Sequence, residues 1–325
     1  MRWKPLAVSA LLASMPLLVA MAAPAAAQAT NPHTWVASYG NDTLDCAYAV
    51  PCATITYAFS RTARGGEITC IDSLDFGAEA VLNRSVTINC LGKTASLRGR
   101  VGAPPPMIRI HLPATDTVIL RGLNFEEFPV AWFGMVFTGA GTLIVDRTAV
   151  IGGSSSRNGI LFTPSGPAKL VVTDSIVARH GQDGTGAGIR VMPQPGGTAQ
   201  VTLERTKVSG SQFGVAVDGS NSTGGINVTI KDSVLASNVN DGVVATTSAG
   251  HAPIGVLVSN SASTNNGYGI RAIGSNVTVR VADSDIAGNG TGLATASGGA
   301  LLSSGGNAVR ANGVNGGFTG TEALQ

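Results

Sequence analysis

From residue 67 onward the chain is written in short runs where apolar and polar residues alternate, as in 67–72, 85–91, 107–112, 117–123 and 142–145. Alternation of period two, rich in Val, Ile and Leu, predicts half-buried strands, and no sustained 3.6-residue period competes with it. A second pattern lies over the first. A glycine followed by an apolar residue returns at Gly134, Gly159, Gly188, Gly214, Gly242, Gly269 and Gly292, at intervals of 25, 29, 26, 28, 27 and 23 residues. Such self-similarity predicts a solenoid, in which one repeat is one turn of a stack and cannot bury its apolar face alone. The interval fits a coil of about three short strands; it is too short for a propeller blade, and the dense leucine framework of leucine-rich repeats is missing.

Aligning the second run of each coil exposes ladders. One position reads Thr148, Ser175, Thr206, Ser233, Ser261, Ser284, and the residue before it reads Arg147, Asp174, Arg205, Asp232, Asn260, Asp283. In-register stacking would set Arg147, Asp174, Arg205 and Asp232 side by side with alternating charge, each pair worth ~0.2–1 kcal/mol. Five residues after each hydroxyl come Gly153, His180, Ser211, Asn238, Asn266 and Asn289, the last three forming an expected asparagine ladder at a turn. Repetition along the stack makes these ladders structural.

The first 66 residues read differently. Arg2 and Lys4 precede an apolar run from Leu6 to about Ala23, and Ala27-Gln28-Ala29 is a small-x-small cleavage site, so residues 1–29 are expected to be a secretory signal peptide rather than a membrane anchor. Cleavage there leaves a chain with 19 basic and 19 acidic residues and no membrane-spanning segment. A neutral chain without a basic run is a poor nucleic-acid binder. Residues 30–66 are expected to form an N-terminal cap, with a short helix between Pro51 and about Ala63 placing Ile55, Ala58, Phe59 and Thr62 on one side, and the β-stack is expected over 67–325. The four cysteines, an even number in an exported chain, favour disulfides. Of three possible pairings, Cys46–Cys52 with Cys70–Cys90 is preferred: Cys70 and Cys90 are 20 residues apart, as are Ile68 and Ile88, which puts both cysteines at one position of successive coils.

The segments Trp35-Val36-Ala37, Gly40-Asn41-Asp42, Pro51-Cys52-Ala53-Thr54-Ile55, Ala58-Phe59 and Gly65-Gly66-Glu67-Ile68, with the Asn/Gly turns of the later coils, resemble right-handed parallel β-helix proteins of the pectate-lyase-like superfamily. More narrowly, the chain resembles small secreted bacterial β-helix proteins of unknown function, in which paired cysteines and a C-terminal segment like 298–307 are expected. The resemblance implies an all-β, right-handed parallel β-helix of about ten to eleven coils, a rod on the order of 50 Å long at the ~4.8 Å strand spacing, located outside the cytoplasm, secreted or periplasmic. It is specific for fold and weak for function.

Catalytic chemistry is harder to find. The Asn-Thr-Asp, Asp-Asp, Gly-His-Gly and Arg-Ile-Lys segments of polygalacturonase-like hydrolases do not occur, and Gly250-His251-Ala252 is the nearest fragment. Pectate-lyase-like sites hold Ca²⁺ on clustered acids, since that hard cation takes 6–8 oxygens. Here Asp283 and Asp285 would face opposite ways on a strand, and Arg205 separates Asp174 from Asp232. No metal site and no cofactor is expected, Ca²⁺ being the one ion the resemblance brings in. The four histidines are scattered, with His180-Gly181-Gln182-Asp183 a candidate polar rim, and no Gly-x-Ser-x-Gly elbow occurs. The richest aromatic stretch, 123–133, offers Trp132 to stack on a sugar with Glu126 and Glu127 to bond its hydroxyls, and is the first candidate carbohydrate site. The reading is therefore an exported, non-catalytic protein that presents a polar face to polysaccharide at the cell surface. A polysaccharide lyase or glycoside hydrolase is the alternative, and a surface adhesin or structural rod the second.

Overall fold

The computed structural model describes residues 31–76, 80–98, 106–126, 133–153, 157–181 and 184–323. These form a parallel β-helix of about ten turns. Each turn contributes one strand to each of three parallel sheets, with 12, 10 and 9 strands among the described residues, here called sheets one, three and two. The chain passes through them in the order one, three, two and then returns to sheet one of the next coil.

Inward-facing residues stack in unbroken columns. In sheet one, Ile68, Ile88, Leu120, Val145, Val172, Leu203, Ile230, Val258 and Val281 lie strand on strand, and all are essentially without solvent contact. β-Branched and leucine side chains suit this interior because a pleated strand presents every second residue to the same side.

The corners are built by one two-residue device used twice per coil. Between sheets one and three, Gly122, Arg147, Asp174, Arg205, Asp232, Asn260, Asp283 and Gly306 all have left-handed backbone, with φ between 45° and 69°. After the six from Arg147 to Asp283, the next residue is the hydroxyl ladder. Ser233 Oγ donates to the carbonyl of Lys231 at 2.7 Å and accepts the N–H of Thr206 from the preceding coil at 3.1 Å. Ser261 and Ser284 repeat the arrangement. Between sheets three and two, Arg179, Gly210, Ser237, Asn265, Gly288 and Ala311 are the left-handed residues. The residues after them, from His180 through Ser211 and Asn238 to Asn312, pass hydrogen bonds along the stack. Asn266 Oδ1 accepts both the backbone N–H and the side-chain amide of Asn238, each at 2.9 Å, and Asn289 Oδ1 does the same for Asn266 at 2.9 and 3.0 Å. Asn312 continues the ladder one coil beyond the three asparagines expected.

The recurrent glycine follows from this ladder. A methyl group at Gly242 would lie 2.7 Å from the carbonyl oxygen of Gly269 and 2.8 Å from Asn266 Nδ2, and one at Gly269 would meet Gly292 and Asn289 in the same way. Close approach, not left-handed backbone, fixes the residue type. The charge column is partly as expected. Arg205 pairs with Asp174 through two bonds, 2.7 and 2.9 Å, whereas Arg147 bonds Asp146 of its own coil at 3.1 Å.

At the N-terminal end a helix, α1 (Ile55–Arg61), buries Ile55, Ala58 and Phe59. Thr54 caps it by accepting the Tyr57 N–H at 3.1 Å, and the Asp42 carboxylate holds the N–H groups of Ala53 and Thr54 at 2.8 and 3.1 Å. The strand Asn31–Val36 is the edge of sheet one. Its outer side bonds to a short loop: Trp35 N–H to Cys46 O at 2.8 Å, Cys52 N–H to Trp35 O at 2.9 Å and Ala37 N–H to Cys52 O at 3.0 Å. A Cys46–Cys52 disulfide closes that loop, with Cα atoms 4.9 Å apart, and Cys70–Cys90 joins adjacent coils at 4.8 Å. The loop thus covers the Trp35–Ala37 end of the sheet edge.

Replacing Asn266 by alanine leaves the buried N–H of Asn238 without its acceptor. The expected cost is about 3 kcal/mol, read as a lower urea midpoint with an unchanged slope; a midpoint within error of wild type would show that the ladder is not stabilising.

Candidate functional site

The residue preceding each recurrent glycine does not join the core. In sheet two the register aligns Phe133, Asn158, Ala187, Phe213, Asp241 and Tyr268 in one column. Three residues further along each strand, Val136, Leu161, Arg190, Ala216, Val244 and Arg271 form a second column, which Ala294 continues. Ala187, Ala216 and Val244 make a small apolar cluster apart from the main core, with Phe213 and Ile273 packed on it. Ala216 and Val244 of this cluster are the floor of a cleft of about 190 Å³ on the outer face of sheet two, lined also by Arg190, Asp218, Thr246 and Arg271.

The two arginines stand three strands apart in one column, on the order of 14 Å at the parallel-strand spacing. Each is held by the residue at the head of the preceding coil's strand. Asn158 Oδ1 accepts from Arg190 Nε at 3.3 Å and from the Ala187 N–H at 2.9 Å, and the Thr185 carbonyl accepts from Arg190 Nη2 at 2.6 Å. Asp241 Oδ2 accepts from Arg271 Nη2 at 2.6 Å, and the guanidinium lies 4.4 Å over the Tyr268 ring. Asp241 has no solvent exposure, and its Oδ1 and the Arg271 Nε have no hydrogen-bond partner. Burial pushes its carboxyl up to about 6 against the opposing pull of Arg271.

The sequence candidates are placed as follows. Trp132 and Glu127 lie outside the described residues. Glu126 ends the strand Leu123–Glu126 in sheet three, where Asn124 Nδ2 donates to it at 2.8 Å and Arg98 approaches to 3.4 Å. His180 is no polar rim: it is fully buried in the corner ladder, and its Nε2 bonds the Val150 carbonyl at 3.1 Å, as the ladder asparagines bond carbonyls of their preceding coils. Among the described residues no group of three or more His, Cys, Asp or Glu side chains could hold a metal ion. A second aromatic group went unnoticed in the sequence. Trp35 stacks on His33 at 4.0 Å and meets the edge of Tyr48 at 5.9 Å, beside a His33–Thr69–Glu67 hydrogen-bond chain. The cleft had a visible signal, the variable residue before each glycine, but its meaning depends on the register.

No protein-family model matches the chain, and no curated protein matches it. Two solved structures are similar in fold. One is the pectate lyase Pel9A, with a TM-score of 0.57 and 14% identity over 92% of this chain and 80% of that one. The other is a rhamnogalacturonan lyase, with a TM-score of 0.44 and 11% identity over 76% of this chain and 82% of that one. The first likeness bears out the fold class, a parallel β-helix. At such identity it is a statement of fold.

His180 generates a pH prediction. Burial lowers its pKa to about 4, partly opposed by the Val150 bond. The unfolded chain, with an ordinary histidine near 6.5, therefore takes up this proton first as pH falls. Stability is expected to decline between about pH 6.5 and 4, by on the order of 3 kcal/mol for this group. His180→Asn supplies the ladder's own residue type, and urea unfolding at pH 7 and pH 4.5 should show a smaller acid loss than wild type; an equal loss would place the titration elsewhere.

Proposed function

We propose that this protein binds a polysaccharide strand along the outer face of sheet two and does not cleave it. The observation that carries the reading is the cleft itself, with its apolar floor of Ala216 and Val244, its Phe213 and Ile273 walls, and an arginine at each end. Saccharides present C–H faces that stack on apolar surface and hydroxyls or carboxylates that bond charged side chains, so an apolar floor with a few fixed polar groups matches both needs. The cleft crosses neighbouring coils, so a linear polymer lying along the rod would meet the same spacing again and again. The solved neighbours include a pectate lyase, which fits a polysaccharide ligand. Two disulfides fit an oxidising compartment, outside the cytoplasm.

The non-catalytic part rests on the carboxyl groups. Glycoside hydrolysis uses two of them facing each other across the bond, roughly 5–9.5 Å apart. Of the two acids beside the cleft, Asp241 is buried beneath Arg271 and cannot face a ligand. Asp218 alone lines the surface, its Oδ1 accepting from the Ser220 N–H and hydroxyl at 2.9 and 2.6 Å.

The test is incubation of the purified protein with a polysaccharide panel that includes polygalacturonate, with and without Ca²⁺, following unsaturated ends, reducing ends and co-sedimentation. Binding without turnover is expected, weakened roughly tenfold in Phe213→Ala through loss of about 1–2 kcal/mol of ring contact. The same measurement on Trp132→Ala asks whether the residue before Phe133 takes part. Release of new chain ends would overturn the non-catalytic reading, and binding indifferent to Phe213 would place the ligand on another face.

A further inference from the structure

The two arginines of the cleft are held by equivalent positions of different chemistry. Asn158 heads its strand and bonds the arginine three residues along the next coil's strand; Asp241 heads its own strand and does the same for Arg271. Asn158 carries no charge at any pH. Asp241 carries one only when ionised, and it is wholly enclosed, with one carboxylate oxygen unpartnered.

We propose that Asp241 is a specificity-determining residue that makes the cleft's second cation conditional on pH: ionised, it neutralises Arg271, and protonated, it leaves that charge to an anionic saccharide. This rests on the polysaccharide-binding reading and adds the ligand charge and the residue that controls it.

The surroundings of Asp241 leave few other groups to do this. From the strand Tyr268–Ile273 it meets Arg271, with Tyr268 beside it. The strand Phe213–Asp218 sets Phe213 next to it and carries its one ionisable group, Asp218, at the far end. The strands Val234–Ala236, Ile254–Ser259 and Ala262–Thr264 carry none, and Arg280 of Val277–Ala282 is taken by Glu322 in two bonds of 2.7 and 3.0 Å. The carboxyl's raised value, about 6, puts the change within reach of mild acid. A carboxyl group accepts hydrogen bonds in either state and donates one only when protonated, so a proton on Oδ1 leaves Oδ2 to hold Arg271 while removing the opposing charge.

The experiment measures the affinity of the whole protein for an oligogalacturonate, whose carboxylates stay ionised throughout, at pH 5 and pH 7.5 and constant ionic strength. Wild type should bind roughly three- to tenfold more tightly at pH 5, the size expected for one partly exposed charge. Asp241→Asn reproduces the Asn158 arrangement and should bind at both pH values with the acid affinity. Arg271→Gln should bind more weakly and lose the pH step, which keeps the proposal testable if Asp241→Asn folds poorly. Equal wild-type affinity at the two pH values, or a step that persists in Asp241→Asn, overturns the switch and leaves the binding reading intact. No binding at either pH overturns the reading beneath it; a carboxyl NMR titration of Asp241 without ligand then shows whether the group still titrates near pH 6.

Discussion

In-register stacking is the constraint on which this molecule depends. Along the strands the backbone groups of each coil find partners in the next, but at a corner the chain turns too sharply for strand pairing, and its N–H groups would be buried without acceptors. The side chains of Ser233, Ser261 and Ser284 at one corner and of Asn238, Asn266, Asn289 and Asn312 at the other supply those acceptors across the coil boundary. Each bond contributes only about 1 kcal/mol net, yet leaving the group unpaired costs about as much or more. A corner ladder is thus less a source of stability than a condition for turning at all.

Several features that look separate follow from it. The residue before each ladder position must be left-handed, which Gly, Asn and Asp tolerate best and which costs Arg147 and Arg205 roughly 1–2 kcal/mol each. The residue after the next turn must be glycine, because the ladder amide and the following coil's carbonyl occupy the space of a Cβ. His180 fits the same ladder only as a neutral ring, buried and donating to Val150. The ends of the stack are managed differently: the disulfide-closed loop around Cys46–Cys52 pairs with the edge strand at one end, and the two-residue strand Gly320–Thr321 ends sheet one at the other.

The outer face of sheet two escapes these demands, and variation collects there. Phe133, Asn158, Ala187, Phe213, Asp241 and Tyr268 share a column that mixes aromatic, small and hydrogen-bonding side chains. A rigid stack that holds such a column at fixed spacing can present a linear polymer with a different group at each step. The same architecture occurs in the pectate lyase Pel9A.

Much of the fold was legible from local pattern. Period-two alternation, the glycine interval, the hydroxyl and asparagine columns, and the 20-residue spacing of Cys70 and Cys90 are all consequences of one repeated coil, and a repeat is a property of sequence. The candidate site was not. Arg190, Ala216, Val244 and Arg271 each lie two residues after the recurrent glycine, so their column can be aligned from the sequence, but that its apolar members floor a cleft closed by two held arginines is set by the register and the side-chain contacts. The aromatic run at 123–133 drew attention because its residues adjoin in sequence, and its one described acid, Glu126, lies in sheet three with Arg98 and Asn124. Sequence by itself determined the coil, because the coil is held by contacts between residues of the same type that recur once per turn. Only the tertiary structure decided which members of a column are buried, paired or open to a cleft, because that depends on side-chain contacts between coils.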